Sequence, residues 1–189
     1  CTSLDRRAEL LEALKKELAS QSGYLRGEPL RTIYFGGGTP SVYTPGQLQS
    51  LIEHIRSIWD CSAVEEITME ANPDDLSAEY LAELAKTDIN RLSIGIQSFI
   101  NRDLKLMNRR HTAAKAVEAV ENAKKAGFGN ITIDLIYGIP GMSDAEWQDN
   151  IRQALGLGVQ HISAYHLTIE DSTEFGRRNA RGELNPIEE

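Results

Sequence analysis

The property that most restricts what this chain can fold into is its alternation of short, apolar, β-branched runs with longer segments whose apolar residues recur at helical spacing. The runs cover residues 32–35, 66–70, 91–97, 131–136 and 161–167. Each has the length of a strand, and each is separated from the next by enough chain for a helix. Repeated βα units of this size predict a parallel sheet covered by helices, because parallel neighbours need a long crossover connection. Closure of the sheet is left open by the pattern: a doubly wound sheet and a full or partial (β/α) barrel both fit.

Local signals punctuate the helices. The first is expected over residues 4–19, with Leu11, Leu14 and Leu18 on one face. Thr44, Pro45 and Gln47 open the next as N-cap, first-turn proline and capping-box partner, and its buried face is Leu48, Leu51, Ile52, Ile55 and Trp59. A short helix carries Leu81, Leu84 and Ala85, and a longer one from about Thr112 shows Ala116, Val117, Val120 and Ala123. Gly127 suits the left-handed position that ends it. Ser143 and Glu146 form a second capping box, with Met142 placed to staple onto Trp147, and Ile151, Ala154 and Leu155 follow. From Glu170 the chain is charged and reads as irregular. No low-complexity linker interrupts the pattern, so residues 1–189 are read as one domain.

Composition removes several function classes. With 20 Lys+Arg against 28 Asp+Glu, the formal net charge is −8, which gives no basis for general nucleic-acid affinity. No apolar run approaches the ~20 residues that cross a bilayer, and the first residues carry no signal-peptide pattern, so no transmembrane segment and a cytoplasmic location are expected. The two cysteines, Cys1 and Cys61, form at most one disulfide, cannot hold a metal cluster alone, and are expected as reduced thiols. His54, His111, His161 and His166 include no H-x-x-x-H pair, which argues against a histidine metal site. No predicted strand contains a lysine, so a Schiff-base aldolase is unsupported.

Parallel α/β sheets bind ligands at the carboxyl ends of their strands. Here those ends carry Gly36-Gly37-Gly38-Thr39-Pro40, then Glu70, Gln97 and Asp134. Side chains alternate faces along a strand. Glu70 therefore shares a face with Thr68, Gln97 with Ser93 and Gly95, and Asp134 with Thr132, while Ile67, Met69, Leu92, Ile94, Ile96, Ile131, Ile133 and Leu135 occupy the other. The apolar face should meet the helices and the small, polar face should line a lumen. The glycine run matches neither a Walker A loop nor a G-x-G-x-x-G fingerprint, but lets backbone approach a ligand closely. Carboxylates and an amide suit a ligand with hydroxyls and an ammonium group. Arg109 or Arg110 could fork onto a ligand carboxylate.

Taken in order, Tyr34-Phe35-Gly36-Gly37-Gly38-Thr39-Pro40-Ser41, Thr68-Met69-Glu70-Ala71-Asn72-Pro73, Ser93-Ile94-Gly95-Ile96-Gln97-Ser98-Phe99, Leu106-Met107-Asn108-Arg109-Arg110-His111, Ile133-Asp134-Leu135-Ile136-Tyr137-Gly138-Ile139-Pro140-Gly141 and Leu167-Thr168-Ile169-Glu170 resemble the radical SAM oxygen-independent coproporphyrinogen III oxidase family. The resemblance runs from about Leu4 to Gly176. That family has two branches, the oxidases that decarboxylate coproporphyrinogen III and the HemW-like heme chaperones. Ala71-Asn72-Pro73 and Ser98 resemble the chaperone branch, since the oxidases tend to carry acidic residues at the matching places.

The resemblance implies a partial (β/α) radical SAM barrel that binds S-adenosylmethionine beside a 4Fe-4S cluster. Electron transfer from the cluster would cleave the cofactor to methionine and a deoxyadenosyl radical. It also implies roles: Gly37, Gly38, Thr39 and Glu70 near the methionine amino end, Gln97 and Asp134 at the ribose, Arg109 on the carboxylate, and Thr168 against the cofactor. Porphyrin or heme is the implied further partner; no electron donor is implied. One departure is large. The C-x-x-x-C-x-x-C motif that holds the cluster is absent, so the first strand and cluster loop are expected to lie before residue 1, with Cys1 as the sole candidate remnant, and the chain itself supplies no metal ligand. The C-terminal domain of the chaperone branch is absent as well, and the chain alone is expected to do no more than bind the cofactor.

Overall fold

The computed structural model describes residues 6–184. Cys1 and the expected first residues of the opening helix lie outside the described residues. The helices are α1 (Arg7–Ser20), α2 (Pro45–Ile58), α3 (Ala78–Leu84), α4 (Asn101–Leu106), α5 (Ala113–Lys125), α6 (Asp144–Gly156) and α7 (Glu174–Ala180). The strands are β1 (Thr32–Phe35), β2 (Glu66–Ala71), β3 (Arg91–Gln97), β4 (Ile131–Tyr137) and β5 (His161–His166).

All five strands lie in one parallel sheet, in the order β1-β2-β3-β4-β5. Each strand stands beside its neighbour in sequence, so every crossover moves the same way along the sheet. A doubly wound sheet reverses at a switch point. This one does not reverse, and the choice left open by the sequence resolves to a partial (β/α) barrel.

The helices begin where the sequence marks them. Thr44 and Gln47 form a reciprocal capping box at α2, and Ser143 and Glu146 do the same at α6. Ser77 and Thr112 cap α3 and α5. The apolar sheet face, including Ile33, Ile67, Met69, Leu92, Ile94, Ile131, Ile133 and Leu135, is buried in one core with Leu48, Ile52 and Ile55 of α2, Leu81 and Leu84 of α3, and Val120 of α5. Ala116, Ala119 and Ala123 of α5 are fully buried, and such small side chains let a helix approach a sheet closely.

The opposite face is polar. Parallel partners in register point the same way, which aligns Tyr34 with Thr68, Glu70 with Ser93, and Asp134 with Ser163. Deeper on this face the Arg91 guanidinium donates to Thr132 Oγ1 at 2.6 Å and Thr68 Oγ1 at 3.2 Å, and lies 3.4 Å from Glu66. The lumen floor is thus a satisfied polar network rather than an apolar core.

Two elements differ from the expectation. α4 is a six-residue helix with no side-chain cap, too short to show amphipathic periodicity. The tail expected to be irregular contains α7, where Thr173 accepts from the Gly176 amide and Arg177 and Arg178 lie in the last turn, a favourable place for cations. Its determinants are a cap and a charge bias, which leave no apolar pattern to read.

Candidate functional site at the carboxyl end of the sheet

The site is assembled from the exits of β1, β2, β3 and β4. β1 ends in a glycine turn in which Gly37 and Gly38 take φ of +70° and +76°, a left-handed conformation that side chains disfavour. That turn brings the Gly37 amide to Glu70 Oε2 at 3.2 Å. Tyr34, on the polar face of β1, donates its hydroxyl to Glu70 Oε1 at 2.8 Å. Both carboxylate oxygens of Glu70 are therefore oriented by β1.

Beside Glu70 stands the partner carboxylate. Ser93 Oγ donates to Asp134 Oδ2 at 3.2 Å across β3 and β4. Burial pushes the Asp134 carboxyl above its usual range; the hydroxyls of Ser163 and Ser93 oppose this, and the negative charge of Glu70 reinforces it. The Tyr34 phenol is pushed up to about 12, first by burial and then by Glu70, so it remains a donor at neutral pH. Tyr34, Glu70, Ser93 and Asp134 thus form one electrostatically coupled group.

Gln97 reaches the same face by an irregular route. The β3–β4 register shifts between Ile94 and Gln97, and Gln97 takes a φ of +71°. Its amide folds back over Gly95, where an added Cβ would stand 2.7 Å from Gln97 Nε2. Asn72, at the exit of β2, is the next polar group there and donates to Thr39 Oγ1 at 3.5 Å. Thr39 is thereby joined to the β2 exit, while Gly38 is exposed in the turn.

The two arginines separate clearly. Arg110 lies 3.7 Å from Asp74 and 3.6 Å from Asp75 in the turn after β2. Arg109 is half buried, and burial pulls its guanidinium below the usual arginine value. It has no acceptor among the described residues. Such a group is a donor fork awaiting an anion. Thr168 stands exposed two residues beyond β5 and makes no side-chain hydrogen bond among the described residues, so it is not joined to the rest.

The structure thus brings together Gly37, Glu70 and Asp134, carries Gln97 and Thr39 to the adjoining β2 and β3 exits, and leaves Gly38 and Thr168 apart. Sequence reasoning missed Tyr34 as a site residue. The signal was available, because Thr32 and Tyr34 alternate with Ile33 and Phe35 and so share the polar face. Among the described residues no three His, Cys, Asp or Glu side chains are grouped to hold a metal, and Cys61 is a free thiol before β2, at the opposite end of the sheet from the site.

Known proteins resemble this architecture and sequence. The family model of the radical SAM superfamily matches residues 3–154. The heme chaperone HemW of Lactococcus lactis subsp. lactis is 46% identical over 157 residues, which are 83% of this chain and 41% of that protein. The heme chaperone HemW of Escherichia coli is 36% identical over 170 residues, 90% of this chain and 45% of that protein. Among solved structures, the coproporphyrinogen III oxidase HemN of Escherichia coli, a radical SAM enzyme, superposes with a TM-score of 0.83 at 24% identity, over 94% of this chain and 41% of that one. The chain spans less than half the length of these relatives. No helix among the described residues is long and apolar enough to cross a membrane. By the superfamily match the chain belongs to the radical SAM superfamily, and in sequence it is similar to the heme chaperones HemW.

Proposed function

We propose that this chain is the S-adenosylmethionine-binding part of a cytoplasmic, HemW-like heme chaperone, its residues 1–189 forming one barrel domain. Superfamily membership implies S-adenosylmethionine and a 4Fe-4S cluster. The residues present fit the first. Glu70 offers oriented acceptors for the ammonium group, Asp134 and Gln97 offer acceptors for the ribose hydroxyls, and Arg109 offers a fork for the carboxylate. Gly37 allows close approach of backbone, and Thr39 is joined to the β2 exit through Asn72. The described residues do not fit a cluster, since Cys61 is their sole cysteine.

The cofactor, when bound, supplies one-electron cleavage of its sulfonium carbon–sulfur bond. The contribution of this chain is placement. Tyr34 and the Gly37 amide fix the Glu70 carboxylate, Ser93 fixes Asp134, and the polar face of the sheet presents both to the same side. The observation that carries the reading is this pair of oriented carboxylates on the polar face of the sheet, together with a half-buried arginine, Arg109, that has no acceptor among the described residues.

The chaperone branch is favoured over the oxidase branch by Ser98. Its buried hydroxyl donates to buried Asp103 at 3.1 Å, so an acidic residue at this position would set two carboxylates together in the interior. Heme as the cargo rests on the relatives' names. A reducing cytoplasm suits a free thiol and the cluster that the superfamily implies.

Two measurements on the intact, cluster-bearing protein test the proposal. Arg109→Ala should weaken S-adenosylmethionine binding by ~1.5–3 kcal/mol, tenfold or more. An unchanged dissociation constant would remove Arg109 from the site. Supplied with heme, the protein should bind it stoichiometrically; supplied with coproporphyrinogen III, it should yield no protoporphyrinogen IX, and rapid product formation would identify an oxidase instead.

A further inference from the structure

The segment bearing Arg109 belongs to no regular element, yet it is pinned on both sides. Before it, Asn108 takes a left-handed φ of +55°, and the Arg109 amide donates to the Leu104 carbonyl at 2.8 Å. After it comes His111, whose side chain is only 2% exposed. His111 Nε2 lies 3.0 Å from the carbonyl oxygen of Ile96, and Nδ1 lies 3.7 Å from Asp74 Oδ2. A carbonyl only accepts, so Nε2 carries the hydrogen. One buried ring therefore joins the arginine segment, the turn after β2 and the residue immediately before Gln97.

Arg110 also reaches Asp74 and Asp75, but its side chain is 72% exposed, and exposed pairs of this kind contribute little. The imidazole is the interior anchor. Gln97 has a second support of its own, since Phe99, two residues on in the loop, donates its amide to Asn150 Oδ1 at 2.6 Å. The Arg109 segment is held by the imidazole, by the turn of α4, by the exposed Arg110 pairs and, past His111, by the Ala113 amide on Asn101 Oδ1.

We propose that His111 is a positioning residue for ligand-carboxylate recognition: by bonding the Ile96 carbonyl it locks the Arg109 segment to the rim of β3. This rests on the reading that Arg109 meets the carboxylate of S-adenosylmethionine. His111 itself touches no ligand. Its loss should release Arg109 while leaving the nucleoside end of the site in place.

The test uses the intact, cluster-bearing protein and two probes, S-adenosylmethionine and its decarboxylated form, with binding measured anaerobically by equilibrium dialysis. His111→Asn, whose shorter amide falls short of the Ile96 carbonyl, should weaken S-adenosylmethionine about tenfold and the decarboxylated probe less than about twofold. His111→Gln, which can place an N–H where Nε2 was, should restore most of the loss. Arg109→Ala combined with His111→Asn should bind no more weakly than Arg109→Ala alone. Equal losses on both probes, an unchanged affinity in His111→Asn, or additive losses in the double variant would overturn the positioning role while leaving the carboxylate reading intact. An Arg109→Ala protein with undiminished affinity would overturn that reading and the proposal together. Should His111→Asn fail to fold, Asp74→Asn, which alters the other neighbour of the ring, takes its place with the same expected split.

Discussion

Asp134 shows at the scale of one residue how a binding site is held ready at the expense of stability. Its carboxyl group is raised by burial first, and Glu70 adds to the shift. A carboxyl raised in the folded state favours folding below its unfolded value, and that contribution is lost as pH rises through the folded value. At neutral pH the ionised side chain therefore weighs against the ligand-free fold. Asp134→Asn should raise the melting temperature of the ligand-free protein at pH 7. The gain should shrink as pH falls, because the raised native side chain takes up its proton before an ordinary aspartate would. The same variant should bind S-adenosylmethionine more weakly, by about tenfold for a lost charged acceptor. Scanning calorimetry across this pH range and equilibrium dialysis read the two effects separately. A lower melting temperature at pH 7 would contradict the assignment of Asp134 as a destabilising, ligand-directed group.

At the scale of an element, β3 departs from regular pairing where it reaches the site. The register shift after Ile94 and the left-handed Gln97 turn a uniform strand into a device that folds one amide back over its own backbone. Gly95 makes this possible, since the nearest obstacle to a Cβ there is the tip of the Gln97 side chain, and the closest backbone atom, the Ala71 carbonyl oxygen, is 3.8 Å away. Gly95→Ala should therefore displace the flexible amide and spare the strand. The expected result is a stability change under ~1 kcal/mol, because the added methyl also restricts the unfolded chain. Cofactor affinity should fall severalfold. Urea unfolding and binding on the same preparation test the pairing of outcomes, and a large loss of stability would show that β3 has no room for the change.

At the scale of the whole molecule, the rim loop after β3 is tied to a helix that follows the next strand. Asn150 of α6 is 1% exposed; its Oδ1 accepts the Phe99 amide at 2.6 Å, and its Nδ2 donates to the Glu146 carbonyl at 3.0 Å. Arg102 of α4 forks onto Glu146 at 2.9 and 3.1 Å and lies 2.9 Å from buried Asp103. These contacts join the loop after β3, α4 and α6 in the stretch of chain between Gln97 and Arg109. Asn150→Leu leaves the Phe99 amide buried without an acceptor and should destabilise the protein by ~1–3 kcal/mol. In urea this should lower the midpoint with the slope unchanged. A midpoint equal to that of the unaltered protein would show that water or another group replaces the asparagine.

What the sequence by itself determined is what acts over a few residues. Thr44 with Gln47 and Ser143 with Glu146 start helices through bonds that span three positions. The alternation in β2, β3 and β4 already separates Glu70, Ser93 and Asp134 from the apolar residues that meet the helices. Strand order is different, because open and closed parallel sheets share the same local pattern, and the unbroken sequence β1 to β5 emerges only when the layers assemble. The bond from Tyr34 to Glu70 spans 36 residues, and its geometry depends on the register of β1 against β2. Arg109 and Arg110 are equivalent in sequence; packing alone sets one against Asp74 and Asp75 and leaves the other half buried without an acceptor among the described residues. Local propensities and side-chain alternation are properties of short segments, whereas pairing, burial and the choice between adjacent side chains arise from contacts between segments that the chain brings together only on folding.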